Sequence, residues 1–215
     1  MDVVNVDGPA SMETPARAGY RRSAGSRRGE ARRQELLDRV TEDLAVNGLV
    51  DFSLRRAARA AGTTHKVLLY HFDGADDLLR QAILLLRERR IGNALTAIAA
   101  ERGQTLSDRV RALWPVLTGA ESGLRVVDQA MGLSMYDPGR YAVLGQEASR
   151  QYLPAVLSIC PEHWSDRRRL EVAEMILAAL RGFLVRWLTS DDKDAIPAGF
   201  EALTRALDRE EAARE

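Results

Sequence analysis

The run from Ser53 to Phe72, SLRRAARAAGTTHKVLLYHF, places a hydroxyl residue directly ahead of each of two short stretches with helical spacing. Ser53 precedes the first, Thr64 the second, and the second opens with His65, Lys66 and Val67. Hydroxyls and free backbone N–H groups at helix starts favour phosphate oxygens, and side chains at the exposed start of a helix can reach base edges in a major groove. The bland role for Ser53 and Thr64 is helix capping alone. Arg55, Tyr70 and His71 complete the candidate nucleic-acid contacts of this segment, with Tyr70 offering a phenol to a phosphate. His71 also suits packing and hydrogen bonding at a helix end better than metal ligation. Two helices meeting at a tight turn need a small residue at the contact and a turn residue that tolerates positive φ; Ala58 and Gly62 supply these. Leu54, Ala57, Ala61 and Leu68 then face inward. Spacing alone also allows a packed helical hairpin that touches no DNA.

Other chemistry is sparse. There is no G-x-x-x-x-G-K, G-x-G-x-x-G, H-E-x-x-H or G-x-S-x-G, so no nucleotide, zinc-hydrolase or serine-hydrolase signature, and an enzyme is not expected. Cys160 and His163 have the spacing of two metal ligands without a second pair nearby, and Glu171 with Glu174 reads as a solvated helix face. No metal or cofactor is expected. Cys160 is the sole cysteine, which excludes disulfide stapling and makes a reducing cytoplasm the expected compartment. No apolar run approaches the roughly 18 residues that span a bilayer, and Met1 to Arg22 lacks the apolar region of a secretion signal.

Charge is balanced overall, at 31 basic and 31 acidic residues, but unevenly placed. Between Arg17 and Arg33 seven arginines stand against one acid, Glu30. Residues 1–90 hold 16 basic and 13 acidic side chains, and the remainder 15 and 18. A basic front on an acidic body suits a polyanionic partner, although a solvated tail has the same composition. Residues 1–29, rich in Gly, Pro, Ser and Arg, read as a flexible arm. Arg27 and Arg28 are its candidate DNA contacts.

These groups are positioned by helices. Leu36, Leu37, Val40 and Leu44 recur at three- and four-residue spacing from Glu30, ending at Asn47-Gly48. Short helices follow over about Leu54–Ala61 and His65–His71, then a longer one over about Ala75–Asn93. Further helices are predicted over about Leu106–Thr118, Gly123–Met135, Arg140–Cys160, Asp166–Thr189 and Ala195–Arg209. No stretch alternates as a strand does, so an all-α fold is expected, with a three-helix unit over residues 30–74 and a helical body over residues 75–215.

The pattern Phe52-Ser53-Leu54, Ala57-Ala58, Ala60-Ala61-Gly62, Leu68, Tyr70-His71-Phe72 and Asp77-Leu78-Leu79 resembles the TetR family of bacterial repressors. The motif covers about residues 28–79, and the rest matches in length, helicity and helix order. The resemblance implies a homodimer with helix-turn-helix heads on double-stranded operator DNA and a body that binds a small-molecule effector. Two positions depart from the family: Leu69 stands where a tyrosine is common and Ala75 where a lysine is common, which removes two phosphate contacts. In the body, Trp114, Arg125, Met131, Met135, Tyr136, Tyr141 and Tyr152 are the expected lining of a largely apolar pocket, with Asp128 and Gln129 as further polar candidates; plain core is their other reading. The stripe Ile176, Leu177, Leu180, Phe183, Leu184 and Trp187 is assigned to a four-helix subunit interface, its alternative being an intramolecular core. Two rival functions stay open: a DNA-binding regulator with a filled body and no effector, and a helical enzyme or adaptor whose hairpin reads no DNA. Removing residues 1–26 is expected to lower DNA affinity evenly across sequences and to flatten its salt dependence, because arginines are lost but no base-reading helix. Binding titrations at several salt concentrations measure this, and an unchanged slope makes the arm a passive tail.

Overall fold

The computed structural model describes residues 26–100, 105–119, 123–191 and 193–213; the expected arm lies outside this range except for its last four residues. Ser26 caps the first helix by accepting a hydrogen bond from the Gly29 N–H at 3.1 Å. The helix, α1 (Arg27–Asn47), therefore starts earlier than its apolar periodicity does. Arg27 and Arg28 belong to its first turn, a correction to their placement in a loose arm. Gly48 ends α1 at φ 72°, donating its N–H to the Leu44 carbonyl at 2.8 Å.

Two short helices follow, α2 (Leu54–Ala60) and α3 (His65–His71), and Ser53 and Thr64 cap them by accepting from the N–H groups of Arg56 and Val67. Gly62, between them, has φ 60°, the left-handed turn anticipated from its type. Then come α4 (Ala75–Ala100), α5 (Leu106–Thr118), α6 (Leu124–Tyr136), α7 (Pro138–Ile159), α8 (Asp166–Thr189) and α9 (Ala195–Ala212). No strand occurs among the described residues, so the all-α reading holds. Helix α4 outruns its expected end at Asn93 because Ala94 and Ile98 continue its apolar face into a second core.

Two apolar cores result. The first packs Leu36, Val40 and Leu44 of α1, Ala57 of α2 and Leu68 of α3 against Leu78, Ala82 and Ile83 of α4, and also takes in Val126 and Ala130 of α6 and Leu144 of α7. The three-helix head thus shares its core with the body. The second gathers Leu106 and Val110 of α5, Val156 of α7, Trp164 in the turn before α8, Val172 and Ile176 of α8, and Phe200 and Leu207 of α9. The α8 stripe faces this interior: Ile176, Leu180 and Leu184 are buried, and Phe183 and Trp187 stack edge-on against Trp114. Those residues belong to the intramolecular core, a correction to their assignment to a subunit interface. The large side chains go inward, and the opposite face of α8 exposes Met175, Ala178, Gly182, Val185 and Leu188.

Arginine side chains brace the head. Arg56 of α2 pairs with Asp43 of α1 at 2.8 Å, largely shielded from water, and donates to the Val50 carbonyl at 2.7 Å. Arg33 of α1 donates through Nε to the His71 carbonyl at 3.2 Å and through Nη2 to Gln81 of α4, and its guanidinium lies 4.9 Å from the centre of the Phe72 ring. Arg89 of α4 reaches Asp38 of α1 at 2.6 Å. Arg33→Ala removes two hydrogen bonds and a cation–π contact at the joint between α1, α3 and α4, and is expected to cost about 1–3 kcal/mol. Arg28→Ala, on the exposed first turn, is expected to stay within about 0.5 kcal/mol of the unmodified protein. Chemical denaturation of both variants measures the contrast.

Candidate nucleic-acid interface and body cavity

The head carries exposed positive charge on each of its three helices. Arg55 and Arg59 on α2 and His65 and Lys66 at the start of α3 are exposed, as are Arg27 and Arg28. Among the described residues these five arginine and lysine side chains form no ion pair, whereas Arg32, Arg39 and Arg56 of the same head do. Val67 is half-buried against the first core and anchors the start of α3. Ser53 and Thr64 are exposed and already engaged as caps. The structure separates exposed cations from bracing ones, a division that charge counting cannot make. Arg59, one turn beyond Arg55 and not among the sequence candidates, shares its exposure, and the four-residue spacing between them is a signal that the sequence carries.

Tyr70 and His71 are half-buried at the far end of α3, their rings edge-on with centres 4.8 Å apart. Burial, with help from the positive charges of Arg33 and Arg32, holds the His71 imidazole below its usual range. With its backbone carbonyl clamped by Arg33, His71 helps to hold the joint between α1 and α3. Leu69, the departure from the family pattern, is exposed and apolar.

A cavity of about 240 Å³ opens in the body, where the two cores fail to meet. Its wall takes Ile91 and Leu95 from α4, Leu113 and Leu117 from α5, Val127 and Met131 from α6, Leu153 and Val156 from α7, and Leu177 and Leu180 from α8. Polar groups also reach it: Arg90, Asp128, Ser149 and Tyr152, with Glu174 and Arg181 on the exposed side of α8. Of the residues expected to line a pocket, Met131 and Tyr152 do so. Trp114 instead fills an aromatic cluster with Phe183, Trp187 and Phe200, and Arg125 is exposed on α6. Met135 and Tyr136, 75% and 88% exposed, fall in the last turn of α6, where packing has run out. Tyr141 packs on the first core with Arg140 stacked 4.9 Å from its ring centre. Residue type identifies a cavity-lining candidate, but helix phase turns Trp114, Arg125 and Tyr141 elsewhere, and the end of α6 leaves Met135 and Tyr136 in water.

Asp128 and Gln129, adjacent on α6, turn in opposite directions. Asp128 faces the cavity, where burial raises its carboxyl above the usual range against the opposing pull of Arg90 and Arg181. Gln129 reaches the head, its Oε1 accepting the Leu49 N–H at 2.8 Å. The positive φ requires glycine at position 48, and a Cβ there would lie 2.9 Å from the same oxygen and push Gln129 off the Leu49 N–H.

No family model matches the chain, and no curated protein sequence matches it. Solved structures do. A protein from Rhodococcus sp. assigned to the TetR family of transcriptional regulators superposes with a TM-score of 0.60 at 17% identity, over 84% of this chain and 98% of its own. This chain has the TetR-regulator fold. The multidrug binding protein EbrR, solved with imidazole, is similar at TM-score 0.58 and 18% identity, over 81% of this chain and 89% of its own. The fatty acid degradation regulator FadR from Bacillus halodurans matches at 0.57 and 14%, over 82% and 94%. In the TetR fold of this chain, α1–α3 form the head and α4–α9 the body. Among the described residues no helix is long and apolar enough to cross a membrane.

Proposed function

We propose that this chain is a TetR-family transcriptional regulator, a repressor that binds a palindromic operator as a homodimer and is released by a small, largely apolar effector. The observation that carries the reading is the braced helix-turn-helix with unpaired cations around the exposed start of α3. Lys66 and His65 are exposed there, and Arg55 and Arg59 are exposed on α2. Phosphate contacts from the arginines set register and affinity, and the start of α3 reads base edges.

Two heads must stand roughly 34–36 Å apart to enter successive major grooves, so a dimer is part of the mechanism. Its interface is the outward face of α8, Met175, Ala178, Gly182 and Val185, beside the exposed Ala198 and Ala202 of α9. Small residues let two such helix pairs approach closely and bury the larger apolar groups. The effector occupies the body cavity. Helix α6 carries the signal, because Asp128 and Met131 line the cavity while Gln129 holds the head at Leu49. An effector that favours one position of α6 shifts the equilibrium between operator-competent and incompetent spacings. A typical coupling of about 1–3 kcal/mol weakens operator binding roughly 5- to 150-fold.

Operator selection from random DNA tests the reading. Sharp, salt-dependent binding to a palindromic sequence is expected, with Arg55→Ala combined with Lys66→Ala lowering affinity at least tenfold without a change in thermal stability. Absence of any preferred DNA sequence removes the regulator reading. Gly182→Arg combined with Val185→Glu is expected to give a folded monomer by light scattering, whereas Leu180→Glu, which buries a charge in the core, is expected to unfold the body. A folded dimer from the first pair rules out this face as the interface.

A further inference from the structure

The polar end of the cavity carries more fixed positive charge than the apolar wall explains. Arg87 of α4 is 0% exposed and Arg90, one turn on and lining the cavity, is 5% exposed. Arg87 donates from Nη1 to the Leu144 carbonyl at 2.8 Å, but its Nε and Nη2 have no hydrogen-bond partner among the described residues. The Tyr152 hydroxyl and Asp128 Oδ2, both buried on the cavity wall, also lack one. These groups form one electrostatic cluster: Arg87 feels Tyr152 and Arg181, and Asp128 feels Arg90 and Arg181.

The signs decide what such a cluster accepts. A guanidinium cannot shed its charge, whereas a carboxyl can take up a proton. Among the neighbouring acids, Glu147 pairs through Oε1 with Arg80 at 2.8 Å and also attracts Arg87, so two guanidiniums share one carboxylate, and Glu174 is exposed, where water screens it. Among the described lining residues Asp128 is the one acid that is not exposed, and burial raises its carboxyl above the usual range. A cationic ligand would add charge to arginines that cannot give theirs up, and a neutral apolar one would leave the buried donors unanswered. An anion offsets the surplus charge and accepts from the Tyr152 hydroxyl, which lies on the cavity wall.

We propose that the cavity is a binding site for a small organic carboxylate, its anionic head held by Arg90 and the Tyr152 hydroxyl beside Asp128, and its apolar body among Leu113, Leu117, Leu153 and Leu177. This rests on the reading of the cavity as the effector site and adds the chemical class of the effector. A cavity of about 240 Å³ lies below the roughly 300–1,000 Å³ of drug-sized sites, so the carboxylate is a small one. Bidentate guanidinium–carboxylate geometry supplies affinity, and the phenol supplies direction.

The test is calorimetric titration of the full chain with three probes of one chain length: octanoate, octanamide and octylamine. Octanoate is expected to bind at least tenfold more tightly than either of the others. Met131→Trp, which fills the cavity, is expected to abolish that binding. Tyr152→Phe, which keeps the ring and removes the hydroxyl, is expected to weaken octanoate at least fivefold while changing octanamide less. Arg90→Lys is expected to weaken octanoate as well, because a point charge replaces the planar fork. The proposal is overturned if octylamine or octanamide binds as tightly as octanoate, if none of the three binds, or if octanoate binding survives both Met131→Trp and Tyr152→Phe. Operator binding is read separately in the same samples. Octanoate that binds as described without releasing operator, or in a protein that binds no operator, leaves the carboxylate site standing and removes the effector reading.

Discussion

One helix has to serve two cores at once, and it does so by burying arginine. Helix α4 gives Leu78, Ala82, Ile83 and Leu86 to the first core and Ala94 to the second, and Arg87 and Arg90 lie between. A charged group is tolerated inside only where hydrogen bonds and counter-charges replace water. Arg87 therefore draws in the Leu144 carbonyl of α7, and the surrounding helices supply Tyr152, Asp128 and Glu147. Apolar packing cannot close across that stretch. The position of the cavity, the polarity of its deep end and the continuity between head and body all follow from this break in the apolar face of α4.

The head was legible in the sequence because its determinants are local. Capping by Ser53 and Thr64, a left-handed turn at Gly62 and a helix stop at Gly48 each depend on residues within a few positions. The body was legible only as helices. Whether Met131 or Met135 faces a cavity depends on where neighbouring helices end, a non-local property that periodicity does not carry. Helix α8 shows the same limit. Its apolar residues wrap most of its circumference, and spacing alone could not say which side meets the interior. The side with Ile176, Leu180 and Leu184 does, and the small residues Ala178 and Gly182 mark the other.

Arginine does two jobs in this head that composition conflates. Arg33, Arg39 and Arg56 are fasteners, each tying one helix to a backbone carbonyl or carboxylate of another segment. Arg27, Arg28, Arg55 and Arg59 point to water. The planar, multi-donor guanidinium suits fastening because one side chain satisfies several acceptors at once, as Arg56 does with Asp43 and Val50. The basic front seen in the residue count is thus partly spent on architecture, and the field that the head presents outward is weaker and more localised than the sequence total suggests.

The unfilled space between the cores bears on the lifetime of the protein as well as on its shape. A void forfeits the dispersion contacts its lining would otherwise make, at about 24 cal/mol per Å³ where neighbours do not collapse into it. Filling that space consequently makes the chain open less often. Where opening and closing are fast, proteases cleave in proportion to the open population. A molecule that binds only the closed form lowers that population by the factor its concentration exceeds its dissociation constant. Under the proposed binding, resistance of the chain to proteolysis then rises with cavity occupancy.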